Sequence, residues 1–240
     1  MENETQWERH AGWWQRGFTA GADPEYEDQI LPLVARHLEG ARHVLDVGCG
    51  EGQIARRVAG PGTDVIGIDP TWSQVAVARE RAGGPHYARA RSEQLPWRDA
   101  SFDAVVVCAA LEHVDDFETA IREVARVIVP GGRFVLVLCH PLLQAPGSGW
   151  VDDQIVGEQY WRVGTYLRED RAFDEVAPGV ELLFIHRPLS RYVHAMGAAG
   201  LLVDDMEEPS PPAQFLADTW GYADAGTIPR VLLLSARRSE

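Results

Sequence analysis

The chain has no lysine; all 22 of its Lys-plus-Arg residues are arginine. Without an ε-amino group there is no Schiff-base nucleophile and no lysine to complete a phosphate-binding loop, so both chemistries are excluded. Cysteine is scarce as well. Cys49, Cys108 and Cys139 lie far apart and form no C-x-x-C metal-ligand pair, a pattern that reads as free buried thiols in a reducing compartment. No apolar run approaches the ~20 residues needed to cross a bilayer. The opening stretch, MENETQWERH, has neither the basic flank nor the apolar core of an export signal, so a cytoplasmic location is expected. Basic residues are outnumbered, 22 against 36 acidic ones, for a formal net charge of −14. A field of that sign repels phosphate backbones and anionic lipid headgroups, so neither nucleic acid nor a membrane surface is an expected partner.

What the chain does have is enough apolar material for a full core: 45% of its 240 residues are hydrophobic. One domain spanning 1–240 with insertions is expected, because nothing suggests two similar halves. The stretch HVLDVGCGEG, residues 43–52, places glycines at alternate positions directly behind an apolar run that contains an acid. Such a run fits a buried strand, and the glycines let the backbone turn sharply with nothing projecting above it. Further strand candidates are 64–69, 86–90, 102–108 and 133–139, mostly continuous apolar runs suited to a sheet covered on both faces. Helical spacing predicts helices over 53–59, 71–82 and 116–128, the last stopping at Pro130-Gly131-Gly132. Strand, helix, strand in repetition predicts an α/β fold with a parallel sheet and right-handed crossovers. Ligands of such sheets bind beyond the carboxyl ends of the strands, where the strand order reverses.

Three ligands could use a glycine turn there. A Walker loop needs G-x-x-x-x-G-K-[ST], and both the spacing and the lysine are missing. A dinucleotide fingerprint needs G-x-G-x-x-G. After Gly48 and Gly50 the third glycine falls one place early, at Gly52, with Gln53 where Gly or Ala belongs, which demotes a nicotinamide-dependent oxidoreductase without excluding it. The pattern Asp46-x-Gly48-x-Gly50-x-Gly52 resembles motif I of the class I S-adenosylmethionine-dependent methyltransferases. The resemblance continues in ARSEQLPWRDASFDAVVVCAALEHV (90–114), in PGGRFVLV (130–137) and in HRPLSRYVHAMGAAGLLVDDMEEP (186–209).

The resemblance implies a Rossmann-like seven-stranded, mostly parallel sheet with helices on both faces, ending in a C-terminal antiparallel hairpin. It implies S-adenosylmethionine as cofactor, S-adenosylhomocysteine as product, and in-line methyl transfer to a small-molecule acceptor through an O, N or C atom. Asp46, Gly48 and Gly50 would face the methionine end. Asp69, about 20 residues past the glycines, would take the ribose hydroxyls, with Pro70 or Trp72 beside the adenine and Ser92 and Glu93 at its edge. Many family members have Asp where this chain has Arg91, so Glu93 or a backbone carbonyl would replace the usual acceptor for the adenine amino group. Cys108 and the turn to His113 would pass under the methionine, and an N-terminal helical lid, 1–40, would bring Trp14 to the cofactor. A segment at 140–187, too long for an ordinary connection, would cover the acceptor with Trp150, Tyr160, Trp161, Tyr166 and Phe173.

Plainer roles compete with several of these. Asp46 can cap its own turn, Cys108 can be a small buried hydrophobe, and His113 can be a structural histidine. His140, directly after the fifth strand, is the candidate general base for an acceptor hydroxyl, and it can equally bond only its own His-Pro turn. No base is needed in the chemical step for a neutral amine. A cofactor-binding protein that transfers no methyl group is the other alternative.

Overall fold

The computed structural model describes residues 2–218 and 224–240, with side chains from 6 to 217 and from 224 onward. Five parallel strands form the centre of one sheet: β1 (His43–Val47), β2 (Asp64–Asp69), β3 (His86–Arg89), β4 (Phe102–Cys108) and β5 (Ile128–Cys139). Two hairpins, β6 (Gly149–Asp153) with β7 (Glu158–Arg162) and β8 (Asp170–Ala177) with β9 (Val180–His186), make separate two-stranded sheets. The last strands, β10 (Leu201–Glu207) and β11 (Val231–Arg238), complete the large sheet in the order β3-β2-β1-β4-β5-β11-β10. β11 runs antiparallel to both neighbours, so the expected seven-stranded sheet with its C-terminal antiparallel hairpin is present. The strand order reverses between β1 and β4, which is where a ligand crevice forms in such sheets.

Both faces of the sheet are covered, and the alternation of side chains along each strand sorts the core into two layers. Leu45, Val47, Val105, Val107, Phe134, Leu136 and Leu138 point to one side. There they meet Phe117, Ile121 and Val124 of α5 (Phe117–Val127) and Tyr192 and Met196 of α7 (Leu189–Ala198). Val44, Ala104, Val106, Val135 and Val137 point to the other side. They pack with Leu31 and Val34 of α2 (Leu31–His37), Ile54 of α3 (Gln53–Val58) and Val75 of α4 (Trp72–Arg81). α5 has the clearest start, with the Asp116 carboxylate accepting the Thr119 N–H at 3.0 Å.

Three details add to the sequence reading. β5 begins at Ile128 rather than after Pro130-Gly131-Gly132, because Phe102 pairs with Ile128 and Ala104 with Arg133, which makes a bulge. Gly132 sits so close to β4 that a Cβ there would lie 2.9 Å from the Asp103 carbonyl oxygen. The chain ahead of β1 is a long helix, α1 (Glu2–Gly17), then a turn with Ala20 and Gly21 at positive φ, then a π-helical turn, Tyr26–Ile30, that runs into α2. The segment 140–187 contains a short helix, α6 (Pro141–Gln144), and the two hairpins, β8 and β9 turning at Pro178-Gly179 with φ +75° at the glycine. The connection between β10 and β11 contains α8 (Ala213–Asp218), and its residues 219–223 lie outside the described residues. No helix among the described residues is long and apolar enough to cross a membrane.

Leu136→Ala, at a fully buried position of β5, is expected to cost ~2–5 kcal/mol in urea denaturation, as large-to-small changes in a packed core do. Leu202→Ala, at a largely exposed position of edge strand β10, is expected to stay within about 0.5 kcal/mol of the parent. Equal losses at the two positions would contradict the sheet order.

Candidate active site

A cavity of about 1200 Å³, its open mouth included, lies over the carboxyl ends of β1, β2 and β4. The glycine turn after β1 forms its floor. Gly48 has φ +77°, and a Cβ there would lie 2.5 Å from the Ala110 Cβ, so only glycine lets the turn pass the segment that follows β4. That segment is itself held in an unusual conformation, with Ala109 at φ +47°, and then makes a single 3₁₀ turn, Leu111–His113. At Gly50, φ +53°, an added Cβ would meet only the Trp14 Nε1, at 3.8 Å, so this part of the turn faces open space below the indole.

Acids surround the turn. Asp69 ends β2, and its Oδ2 accepts the Gly50 N–H at 3.0 Å while Oδ1 accepts the Thr71 N–H at 2.8 Å. Burial raises its pKa, opposed by these two N–H groups. Asp46 accepts the Ala55 N–H at 3.1 Å, joining β1 to α3, and burial pushes its carboxyl up to about 7, with nearby Asp69 adding to the rise. Glu51 is buried with Oε2 paired to Arg56 at 2.6 Å and to Arg81, whereas its Oε1 has no hydrogen-bond partner among the described residues. At the far edge Glu93 pairs with Arg91 at 2.8 Å and accepts from the Ser92 hydroxyl at 2.9 Å. Burial alone would raise Glu93, but these bonds hold it below the usual carboxylate range.

The N-terminal region supplies the opposite wall. Glu8 accepts the Ser73 N–H at 3.1 Å and also the Ser73 hydroxyl, which places a carboxylate at the start of α4. Gln15 donates to Gln74 Oε1 at 2.9 Å, and Gln53 donates to the Phe18 carbonyl at 3.2 Å. Trp14 stacks on Phe18 with ring centroids 4.5 Å apart and meets Tyr26 edge-on at 5.6 Å. Trp7 lies 5.0 Å from the His113 ring, whose other neighbour is Phe184 of β9 at 4.6 Å. The Leu183 carbonyl lies 2.7 Å from His113 Nδ1, so that nitrogen carries the proton. Burial lowers the His113 pKa to about 4, opposed by that carbonyl, and the ring is neutral near pH 7.

Ten of the sequence-predicted residues line this one cavity: Asp46, Gly48, Gly50, Asp69, Pro70, Ser92, Glu93, Cys108, His113 and Trp14. Two lie elsewhere. The Trp72 ring is half exposed beneath the Arg79 guanidinium, 5.4 Å away. His140 is buried outside the lining: its Nδ1 accepts the Leu142 N–H at 3.1 Å, capping α6, and its Nε2 lies 2.7 Å from Glu208 Oε1. Trp150 and Trp161 pack edge-to-face on the β6–β7 hairpin, 5.6 Å apart, and neither they nor Tyr160, Tyr166 and Phe173 line the cavity. Glu51, Thr71 and Gln74 line it without having been singled out. An acid inside a glycine turn was the available signal for Glu51; Thr71 and Gln74 carried none. His37, Asp205 and Glu207 form a separate group within reach of one another, with Arg36 paired to Glu207 at 2.7 Å.

A model of the family described as "Methyltransferase domain" matches residues 45–136, the stretch from β1 into β5. An O-methyltransferase of Aspergillus sclerotiorum, resE, is 35% identical over 187 residues, which cover 64% of this chain and 68% of that protein. A second O-methyltransferase, rstn1 of Aspergillus nomiae, is 33% identical over 60% of this chain and 75% of its own. The crystal structure of an S-adenosylmethionine-dependent methyltransferase from Mesorhizobium loti superposes with a TM-score of 0.74, at 31% identity over 86% of this chain and 96% of that one. The chain belongs to the S-adenosylmethionine-dependent methyltransferases, and the nicotinamide reading of its glycine turn is set aside.

Asp46, and Glu112 within the 3₁₀ turn, are both pushed up to about 7 by burial. A carboxyl raised on folding stabilises the fold fully below its unfolded pKa of about 4, and that contribution is lost as pH rises through 7. The contribution of these two carboxyls to ligand-free stability should therefore fall between about pH 4 and 7. Asp46→Asn, which cannot ionise, should gain on the order of 1–3 kcal/mol over the parent at pH 8 and little at pH 5, read from urea curves at both pH values. The same difference at both would count against the buried carboxyl.

Proposed function

We propose that the cavity binds S-adenosylmethionine along the path set by its acids, and that the chain methylates a hydroxyl of a small-molecule acceptor. The observation that carries the reading is Asp69, a buried carboxylate at the end of β2 whose Oδ2 already holds the Gly50 N–H of the glycine turn. A ribose diol fits a carboxylate so placed, because each oxygen keeps a lone pair for one hydroxyl. Gly48 and Gly50 leave room for the methionine end, and Asp46 and the unpartnered Glu51 Oε1 offer negative charge near its ammonium. Pro70, Ser92 and Glu93 take the adenine side, with Glu93 already polarised toward Arg91. Trp14 closes over Gly50 from residues 1–40, which act as the lid. When bound, S-adenosylmethionine supplies a methyl group on a positively charged sulfur, open to in-line displacement.

The chain's own contribution is orientation and exclusion of water. Asp46, Glu51, Asp69, Glu93 and Asp115 outnumber the single cationic side chain of the lining, Arg91, which suits a cationic sulfur and opposes an anionic acceptor. Trp7, His113 and Phe184 make an aromatic edge where the lid meets β9, and the acceptor is placed there. The segment 140–187 thus meets the site through β9 rather than through its outer aromatics. The names of the two fungal relatives support oxygen as the acceptor atom. Since both ring nitrogens of His140 are engaged outside the cavity, it is assigned no part in proton transfer.

Asp69→Ala should weaken S-adenosylmethionine binding by ~1.5–3 kcal/mol in calorimetry, the range for hydrogen bonds to a charged group, with the fold retained. Unchanged affinity would sink the assignment of the ribose site. His140→Gln should leave that affinity unaltered and keep turnover within about threefold on a hydroxylated acceptor found by following release of S-adenosylhomocysteine. A loss of 10²-fold or more would restore His140 as a base.

A further inference from the structure

We propose that Arg187 is a positioning residue for methyl transfer, acting from the end of the 140–187 segment to fix the turn after β4 at the methionine end of the cofactor. The inference rests on the cavity assignment above. Arg187 sits between β9 and α7 and is 3% exposed. Its guanidinium donates to the Leu111 carbonyl at 3.0 Å, the Val114 carbonyl at 2.7 Å and the Asp115 carbonyl at 3.1 Å, and it lies 4.2 Å from the centre of the Phe117 ring. The Leu111 carbonyl also accepts the Val114 N–H at 3.2 Å, so the guanidinium takes its second lone pair. A planar fork with five donors in fixed directions matches carbonyls so arranged better than the three donors of an ammonium.

Those carbonyls belong to the wall of the cavity. Ala110, Leu111, His113, Val114 and Asp115 all line it. Glu112 turns away from it and accepts the Cys139 N–H at 2.7 Å, a second tie from the same turn to the sheet. The wall has reason to move if released. Ala109, at its start, is held at φ +47°, which a non-glycine residue keeps only when its surroundings impose it. The contact of Ala110 with Gly48 leaves no slack, so a shift of the turn reaches the glycine floor directly. The adenosine side is built on other elements, β2 and the residues after β3, whereas the guanidinium of Arg187 bonds the turn after β4. Arg187 therefore supports one end of the cofactor and not the other.

The test compares two ligands on parent, Arg187→Met and Arg187→Lys proteins. S-adenosylmethionine spans both ends, whereas 5′-methylthioadenosine keeps the adenosine and the sulfur but lacks the amino-acid end. Calorimetry on the Met variant should show S-adenosylmethionine weakened about tenfold or more, with methylthioadenosine within about threefold of the parent, and the Lys variant in between. A purely structural role would weaken both ligands together, and that parallel loss overturns the proposal, as does parental affinity for both. Should Arg187→Met fail to fold, the Lys variant decides: selective loss of S-adenosylmethionine supports the proposal, and parental binding of both ligands overturns it. If the parent binds neither ligand, the cavity assignment falls first and this inference with it.

Discussion

The glycine turn after β1 and the turn after β4 pass too close for a side chain at Gly48, and the site depends on that approach. With a Cβ at Gly48 only 2.5 Å from that of Ala110, any side chain would push the two turns apart. Their closeness sets the floor and one wall of the cavity and leaves the Gly50 N–H directed at Asp69 on the neighbouring strand. Parallel pairing of β1 with both β2 and β4 brings three strand ends to one crevice. The sheet's topology and the conformation of two glycines are thus one constraint seen at two scales.

The same crevice concentrates buried acids. Asp46 and Asp69 are buried carboxyls with raised pKa values, and Glu51 keeps an unpartnered oxygen although two arginines meet the other. Burying charge without full compensation is costly, and such costs collect at functional sites. A cationic ligand would relieve them, which is the electrostatic reason that a sulfonium and an ammonium suit this cavity.

Around that centre two less regular parts of the chain meet. α1 reaches the site with Trp7 and Trp14 and is tied to α4 through Glu8 and Gln15. β9 reaches it with Leu183 and Phe184 on His113 and ends at Arg187 under the turn after β4. Neither attachment uses sheet hydrogen bonds. Both rest on side chains, so these two parts can vary while the sheet stays as it is.

The sequence by itself determined the sheet and the floor of the site. Apolar runs such as Phe102–Cys108 and Asp64–Asp69 can only be strands covered on both faces, and the glycines after Val47 require a sharp, uncovered turn. Asp69 was legible because its place at a strand end follows from local spacing. What only the tertiary structure decided were the contacts made across long separations. His140 follows β5, as read from the sequence, but its orientation depends on Leu142 and on Glu208, 68 residues away, and these turn it out of the cavity. The aromatics of 150–173 could be counted but not placed, because hairpin pairing puts Trp150, Tyr160 and Trp161 on one small sheet and Phe173 on another. Arg187 gave no signal, since the carbonyls it holds are backbone atoms more than 70 residues earlier, and no pattern of side chains records them. Local periodicity reports which face of an element is apolar; which distant backbone or side chain meets it is set only when the chain closes.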